Sequence, residues 1–142
     1  ISIDIIPNSI VLAQAVNESG WGSSRFATEY NALFGEYTYD SKAGIVPFKR
    51  EEGKKHLVRY FKTIDQSVES YFININSHFA YDKFRKFRKI LRDNNNSFNV
   101  NLLVDKLDAY AEDDKYVDTI VSIINDNKLT QYDSILSLLT TS

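Results

Sequence analysis

Between Ile10 and Val16 the chain has one polar position, Gln14, and such a nearly uninterrupted apolar run predicts a buried helix rather than a two-faced surface helix. We place this helix over 7–18, with Pro7 in the first turn, where a missing N–H costs nothing. Glu18 falls one turn beyond Gln14 and Ala15 and about two turns beyond Val11, so it continues a partly buried face. Gly20 and Gly22 then stop the helix, Gly20 suiting the left-handed residue that closes many helices.

Further along, a short helix is expected at 23–29, capped by Ser23 or Ser24. The character changes over 36–63. Gly44-Ile45-Val46-Pro47-Phe48 is answered by Leu57-Val58-Arg59-Tyr60-Phe61, which predicts a two-stranded lobe joined by the charged turn from Lys49 to Lys55. Pro47 restricts its strand to an edge. Helix resumes with Asp65 as cap, and Val68, Tyr71, Phe72 and Ile75 form an apolar stripe at helical spacing. A basic helix follows near 80–92, then an Asn-rich loop. Another helix spans 100–109 with Leu102, Leu103, Val104 and Leu107. The next is capped by Asp113 and turns Val117, Ile120, Val121 and Ile124 inward. The last, near 131–139, carries Ile135, Leu136, Leu138 and Leu139. The fold class is therefore mainly α (α+β), a helical domain with a small two-stranded β-lobe at about 36–63.

Composition narrows the field without naming a function. A chain of 142 residues with 43% hydrophobic and 25% charged positions suits a single globular domain. A net charge of −2 argues against a generally nucleic-acid-binding surface. No cysteine is present to indicate a redox compartment. The apolar runs fall short of the roughly 20 residues a membrane span requires. The chain opens at Ile1, and any targeting segment is expected to lie outside it.

Chemistry concentrates at Glu18. A carboxylate at a helix C-terminus meets the negative end of the dipole and sheds hydration, and both effects favour the proton that a general acid must hold. The competing reading is a solvated last-turn glutamate. The neighbouring string Glu18-Ser19-Gly20-Trp21-Gly22-Ser23-Ser24-Arg25-Phe26-Ala27, with Asn31-Ala32-Leu33-Phe34-Gly35, resembles the bacterial glucosaminidase family of cell-wall hydrolases, which have a lysozyme-like helical fold. The resemblance implies that Glu18, in the Glu-Ser-x-Trp-Gly motif, is the proton donor. Trp21 and Phe34 can wall the acid with apolar surface, and Gly22 and Gly35 allow close backbone turns. Trp21, Ser24, Asn31 and Phe34 are the expected substrate-binding residues.

The segment from Gly44 to Gly53, with His56, Ser67-Val68, Tyr71, Asn74-Ile75-Asn76, His78, Ala80-Tyr81 and Phe84-Arg85, resembles the Bax-like branch of that family. In the family a second acid comes from the β-lobe. Glu52 is the first choice, Glu51 the second and Asp40 a weaker third; the substrate's own acetamido group is the alternative. Both glutamates also read as turn charges balanced by Lys49, Arg50, Lys54 and Lys55. Tyr110-Ala111-Glu112-Asp113 with Tyr116 resembles the family's late Tyr-(Ala/Ser)-x-Asp motif, which implies that Tyr110 orients substrate or stabilises charge at the sugar. One departure stands out: the family places Asn directly before Leu-Phe-Gly, where this chain has Ala32, with Asn31 one residue earlier.

Other signals are set aside. Lys83, Arg85, Lys86, Arg88, Lys89 and Arg92 read as a solvated basic face balanced by the acidic stretch 105–118, with attraction to anionic wall polymers as a further option. His56 and His78 lack metal-ligand spacing, and 93–104 fails as a calcium loop at Phe98 and Val104. No metal and no cofactor are expected. The resulting expectation is a monomeric periplasmic or extracellular endo-β-N-acetylglucosaminidase acting on peptidoglycan glycan strands, with no nucleic-acid partner. A muramidase, a lytic transglycosylase and a non-catalytic wall-binding domain are the alternatives. Carboxyls about 5 Å apart would permit a covalent route and roughly 6.5–9.5 Å would favour inversion.

Overall fold

A computed structural model describes residues 3–47, 50–94 and 99–133. The chain divides into two compact units, Ile1–Gln14 with Phe72–Ser142, and Ala15–Tyr71. The boundary falls inside two helices, α1 (Asn8–Ser19) and α3 (Ile64–Ser77). Among the described residues the remaining elements are α2 (Arg25–Tyr30), α4 (Asp82–Asp93), α5 (Val100–Asp105), α6 (Tyr116–Asp126), strands β1 (Tyr37–Thr38), β2 (Gly44–Ile45) and β3 (Leu57–Arg59), and three short 3₁₀ turns.

The first unit is helical. Ile6, Ile10 and Ala13 are buried, as are Ile75, Phe84, Leu91, Leu103, Val104, Leu107, Ile120 and Ile124, at the 3–4 spacing that the sequence pattern requires. Pro7 supplies the first carbonyl of α1, accepting from the N–H groups of Ile10 and Val11. Asp133 takes the role of a remote cap there, accepting from the Ser9 N–H at 2.8 Å and the Ser9 hydroxyl at 2.6 Å. Gln14, the polar interruption of the apolar run, is fully buried and its amide donates to the Tyr116 hydroxyl at 2.9 Å. The helix is wetter than its sequence suggests, with Leu12 39% exposed and Asn17 on the surface.

The expected solvated face of α4 needs correction at Arg88. Its guanidinium is buried and donates to the Ile5 carbonyl and to Asn76 Oδ1, both at 2.8 Å, while Asp4 lies 3.4 Å away. Burial lowers the pKa of Arg88, and the Asp4 charge opposes that shift. Lys86 and Lys89 do follow the expected pattern, pairing on the surface with Asp82 and Asp93. The helix expected over 100–109 is two pieces, α5 and a 3₁₀ turn at Asp108–Tyr110. Residues 95–98 and 134–142, with the apolar positions of the expected last helix, lie outside the described residues.

The second unit holds the sheet. It has three strands rather than two, in the order β1-β3-β2, all antiparallel, with Tyr37 opposite Val58 and Ile45 opposite Val58 on the other side. β2 is an edge strand, and it ends before Pro47. Gly44 permits the pairing, because a Cβ there would lie 2.6 Å from both Leu57 Cβ and Thr38 Cγ2. Thr63, not Asp65, caps α3: its hydroxyl accepts from the Gln66 N–H at 3.2 Å, and Asp65 sits inside the first turn.

Candidate functional site

Within the second unit the site is built on the end of α1. Gly20, Trp21 and Gly22 all have left-handed backbones, with φ of 58°, 59° and 77°. The Trp21 N–H reaches back to the Val16 carbonyl at 2.9 Å, the six-to-one bond of a Schellman closure with Gly20 at the left-handed position. Buried Ser19 holds the turn from inside, donating to the Ala15 carbonyl and accepting from the Gly22 N–H at 2.8 Å. This is the physical content of Glu-Ser-Gly-Trp-Gly: the serine ties the turn and the glycines take the conformations a side chain would resist. Trp21 takes one of them, at a cost of about 1–2 kcal/mol for an L-residue, and presents a ring that is 67% exposed.

Glu18 occupies the last turn of α1 and is half-buried. Its side chain lies against the main chain of Gly35, which has φ of 66°. A Cβ on Gly35 would come within 3.0 Å of Glu18 Oε2 and 3.7 Å of its Cδ. A glycine leaves the carboxyl this place, since a Cβ would crowd it and strain the backbone. Gly35 is fixed from behind by Phe34, which is 2% exposed and stacks on Tyr71 with centroids 4.1 Å apart. Phe34, expected to bind substrate, is thus packed as a core residue beside Gly35.

Two other expected contact residues have local structural duties. Ser24 is the N-cap of α2, its hydroxyl accepting from the Ala27 N–H at 3.2 Å. Asn31 closes α2 in a left-handed conformation and its amide donates to the Phe61 carbonyl at 3.1 Å. Ala32 is buried at the place where the family has Asn. Glu51 and Glu52 are exposed in the turn closed by the Lys54 N–H to the Glu51 carbonyl, and Asp40 is exposed with Oδ1 accepting from the Lys42 N–H. Tyr110 belongs to the first unit, half-buried, its ring stacked on Tyr116 at 5.7 Å and 5.9 Å from Tyr81.

One carboxylate of the second unit went unread in the sequence. Glu36 directly follows Gly35 and its side chain is only 11% exposed. Its Oε2 accepts from the Ser70 hydroxyl at 2.8 Å, and the Arg59 guanidinium donates to that same hydroxyl at 3.0 Å and stands 3.7 Å from the carboxylate. Burial raises its pKa, against the opposing pull of Ser70 and Arg59. The available signal was its place in Leu-Phe-Gly-Glu-Tyr, one residue past a motif glycine. Among the described residues no cluster of three or more His, Asp or Glu is arranged to hold a metal ion, and no helix is long and apolar enough to cross a membrane.

The helical architecture, the small sheet and the carboxylate at a helix end define a mainly α, lysozyme-like domain. The chain belongs to the Glucosaminidase family, described as mannosyl-glycoprotein endo-beta-N-acetylglucosaminidase, which it matches over residues 2–129. It is 34% identical over 127 residues to Protein bax of Escherichia coli K12, covering 89% of this chain and 44% of that protein. It is 27% identical over 134 residues to the exo-glucosaminidase LytG of Bacillus subtilis 168, covering 89% and 46%. The chain thus spans less than half the length of these relatives. Its fold is similar to the catalytic domain of the autolysin Auto of Listeria monocytogenes, with a TM-score of 0.65, 21% identity and coverage of 88% and 74%. An N-acetylmuramoyl-L-alanine amidase structure from Staphylococcus aureus gives a TM-score of 0.66 at 23% identity, covering 88% and 36%.

Proposed function

We propose that this chain is a glycoside hydrolase of the cell envelope that cuts the β-1,4 bond following N-acetylglucosamine in peptidoglycan, with Glu18 as general acid. The observation that carries the reading is the seat of Glu18: half-buried, at the negative end of α1, and pressed on the bare main chain of Gly35. Partial burial and a helix C-terminus are both settings that favour a carboxyl's protonated form, which is the form a general acid uses. The family membership and the name of the LytG relative support a glucosaminidase bond preference.

As the leaving oxygen takes the proton from Glu18, positive charge builds on the sugar and needs a second group. Glu52 is our first assignment, then Glu51 and Asp40; all three are solvent-exposed, where water to be activated is available. Trp21 offers its exposed ring as a sugar-stacking platform, and Tyr110 orients substrate through its hydroxyl. The chain works as a monomer and needs no cofactor in this reading. The test is a digest of purified peptidoglycan with the new reducing ends identified by mass spectrometry. N-acetylglucosamine ends support the proposal; N-acetylmuramic acid or anhydro ends assign the alternate bond and refute it.

A further inference from the structure

We propose that Glu36 is a positioning residue for the acid: its buried carboxyl, anchored to Ser70 of α3 and Arg59 of β3, sets the Gly35 main chain on which Glu18 rests. The inference depends on Glu18 being the proton donor. Residues 34–36 are held at three points. Phe34 is stacked on Tyr71, the Glu36 carbonyl accepts from the Arg59 N–H at 2.8 Å, and the Glu36 carboxylate accepts from Ser70. Only the third hold carries a charge that can be switched.

Stability alone does not account for a carboxyl in this place. Glu36 Oε1 is buried with no hydrogen-bond partner, an arrangement that costs free energy and that an apolar side chain would avoid. Among the described residues, the groups that act on it are the Arg59 guanidinium from β3 and the neutral Ser70 hydroxyl from α3. When Glu36 ionises it draws on Arg59 and Ser70 more strongly, tightening the Gly35 segment. When it is protonated that hold relaxes. The support under Glu18 therefore responds to a proton that is never transferred to substrate.

The test measures kcat and KM on peptidoglycan across pH for wild type, Glu36→Ala and Glu36→Gln, with melting temperatures recorded alongside. Glu36→Ala is expected to lower kcat about tenfold with KM within about twofold, because a shifted acid loses alignment while a buried side chain touches no sugar. Glu36→Gln keeps an acceptor for Ser70 but not the charge, so it is expected to hold kcat, at every pH, near the value wild type shows with Glu36 protonated, and to lose one ionisation from the kcat profile. Unchanged kcat and an unchanged profile in folded Glu36→Ala would overturn the inference, as would a rise in KM alone. If Glu36→Ala does not fold, Ser70→Ala removes the same anchor and must lower kcat in the same manner. Glu18→Gln separates the two claims. If it retains activity, the assignment of the acid fails; if it is inactive while the Glu36 variants behave as wild type, only the present inference fails.

Discussion

Replacing Gly35 with alanine places a methyl group where the acid sits. The added Cβ would lie 3.0 Å from Glu18 Oε2, closer than ordinary van der Waals contact, so the carboxyl must swing aside by a few tenths of an ångström or more. The backbone adds its own cost, since φ of 66° disfavours any L-residue by about 1–2 kcal/mol. Displacing the Glu18 side chain from its rotamer adds about 0.5–1.5 kcal/mol. Gly35→Ala should therefore destabilise the protein by roughly 1.5–3.5 kcal/mol, the sum of those two ranges. A double-mutant cycle isolates the contact: in a Glu18→Ala background the same change should cost only the backbone portion. Urea unfolding measures these stabilities, and turnover on peptidoglycan measures the acid. We expect kcat to fall about tenfold to a hundredfold, as misplacement of a proton donor does. Additive stabilities together with a wild-type kcat would refute the argument that Gly35 seats Glu18.

Three further outcomes are expected. Glu52→Gln should reduce kcat about a hundredfold while Glu51→Gln stays within about threefold, and the reverse order measured on peptidoglycan would move the assignment to Glu51. Arg88→Met should cost about 3 kcal/mol in urea unfolding, the low end for breaking a buried pair because Asp4 is 30% exposed, and a loss below about 1 kcal/mol would contradict the structural role given to Arg88. For Glu36 the sign is set by its raised pKa: the folded state binds the proton more tightly, so its contribution is fully present below the ordinary carboxylate value and is lost as pH rises through the raised one. The melting temperature of Glu36→Gln relative to wild type should accordingly climb across that window and then level, and a flat difference would contradict the shift.

The helices were the legible part of this chain, because their apolar spacing is a local property. α1, α3, α4 and α6 lie close to where the periodicity puts them, with Ile10, Tyr71, Ile75, Ile120 and Ile124 buried. Strand β1 was missed because two residues give no alternation to read; Tyr37-Thr38 becomes a strand only when β3 arrives opposite it. Arg88 looked like its neighbours in a basic run, and only the return of Ile5 and Asn76 onto its guanidinium distinguishes it. The motif around Glu18 marked that residue and Gly35, which the structure brings together, and the partners of Phe34, Ser24 and Asn31 are set by folding. Glu36 was illegible for the same reason, since Ser70 lies 34 positions away. A buried carboxylate announces itself through its neighbours, and those are not adjacent in sequence.

The most direct measurement compares two substrates with one substitution. Glu18→Gln is assayed on glycan strands, whose leaving alcohol needs a proton, and on a dinitrophenyl glycoside of a short N-acetylglucosamine oligosaccharide, whose leaving group departs without one. If Glu18 is the proton donor, the variant loses about a hundredfold or more on the strands and far less on the aryl glycoside. An equal loss on both substrates, or no loss on either, would contradict the role assigned to Glu18.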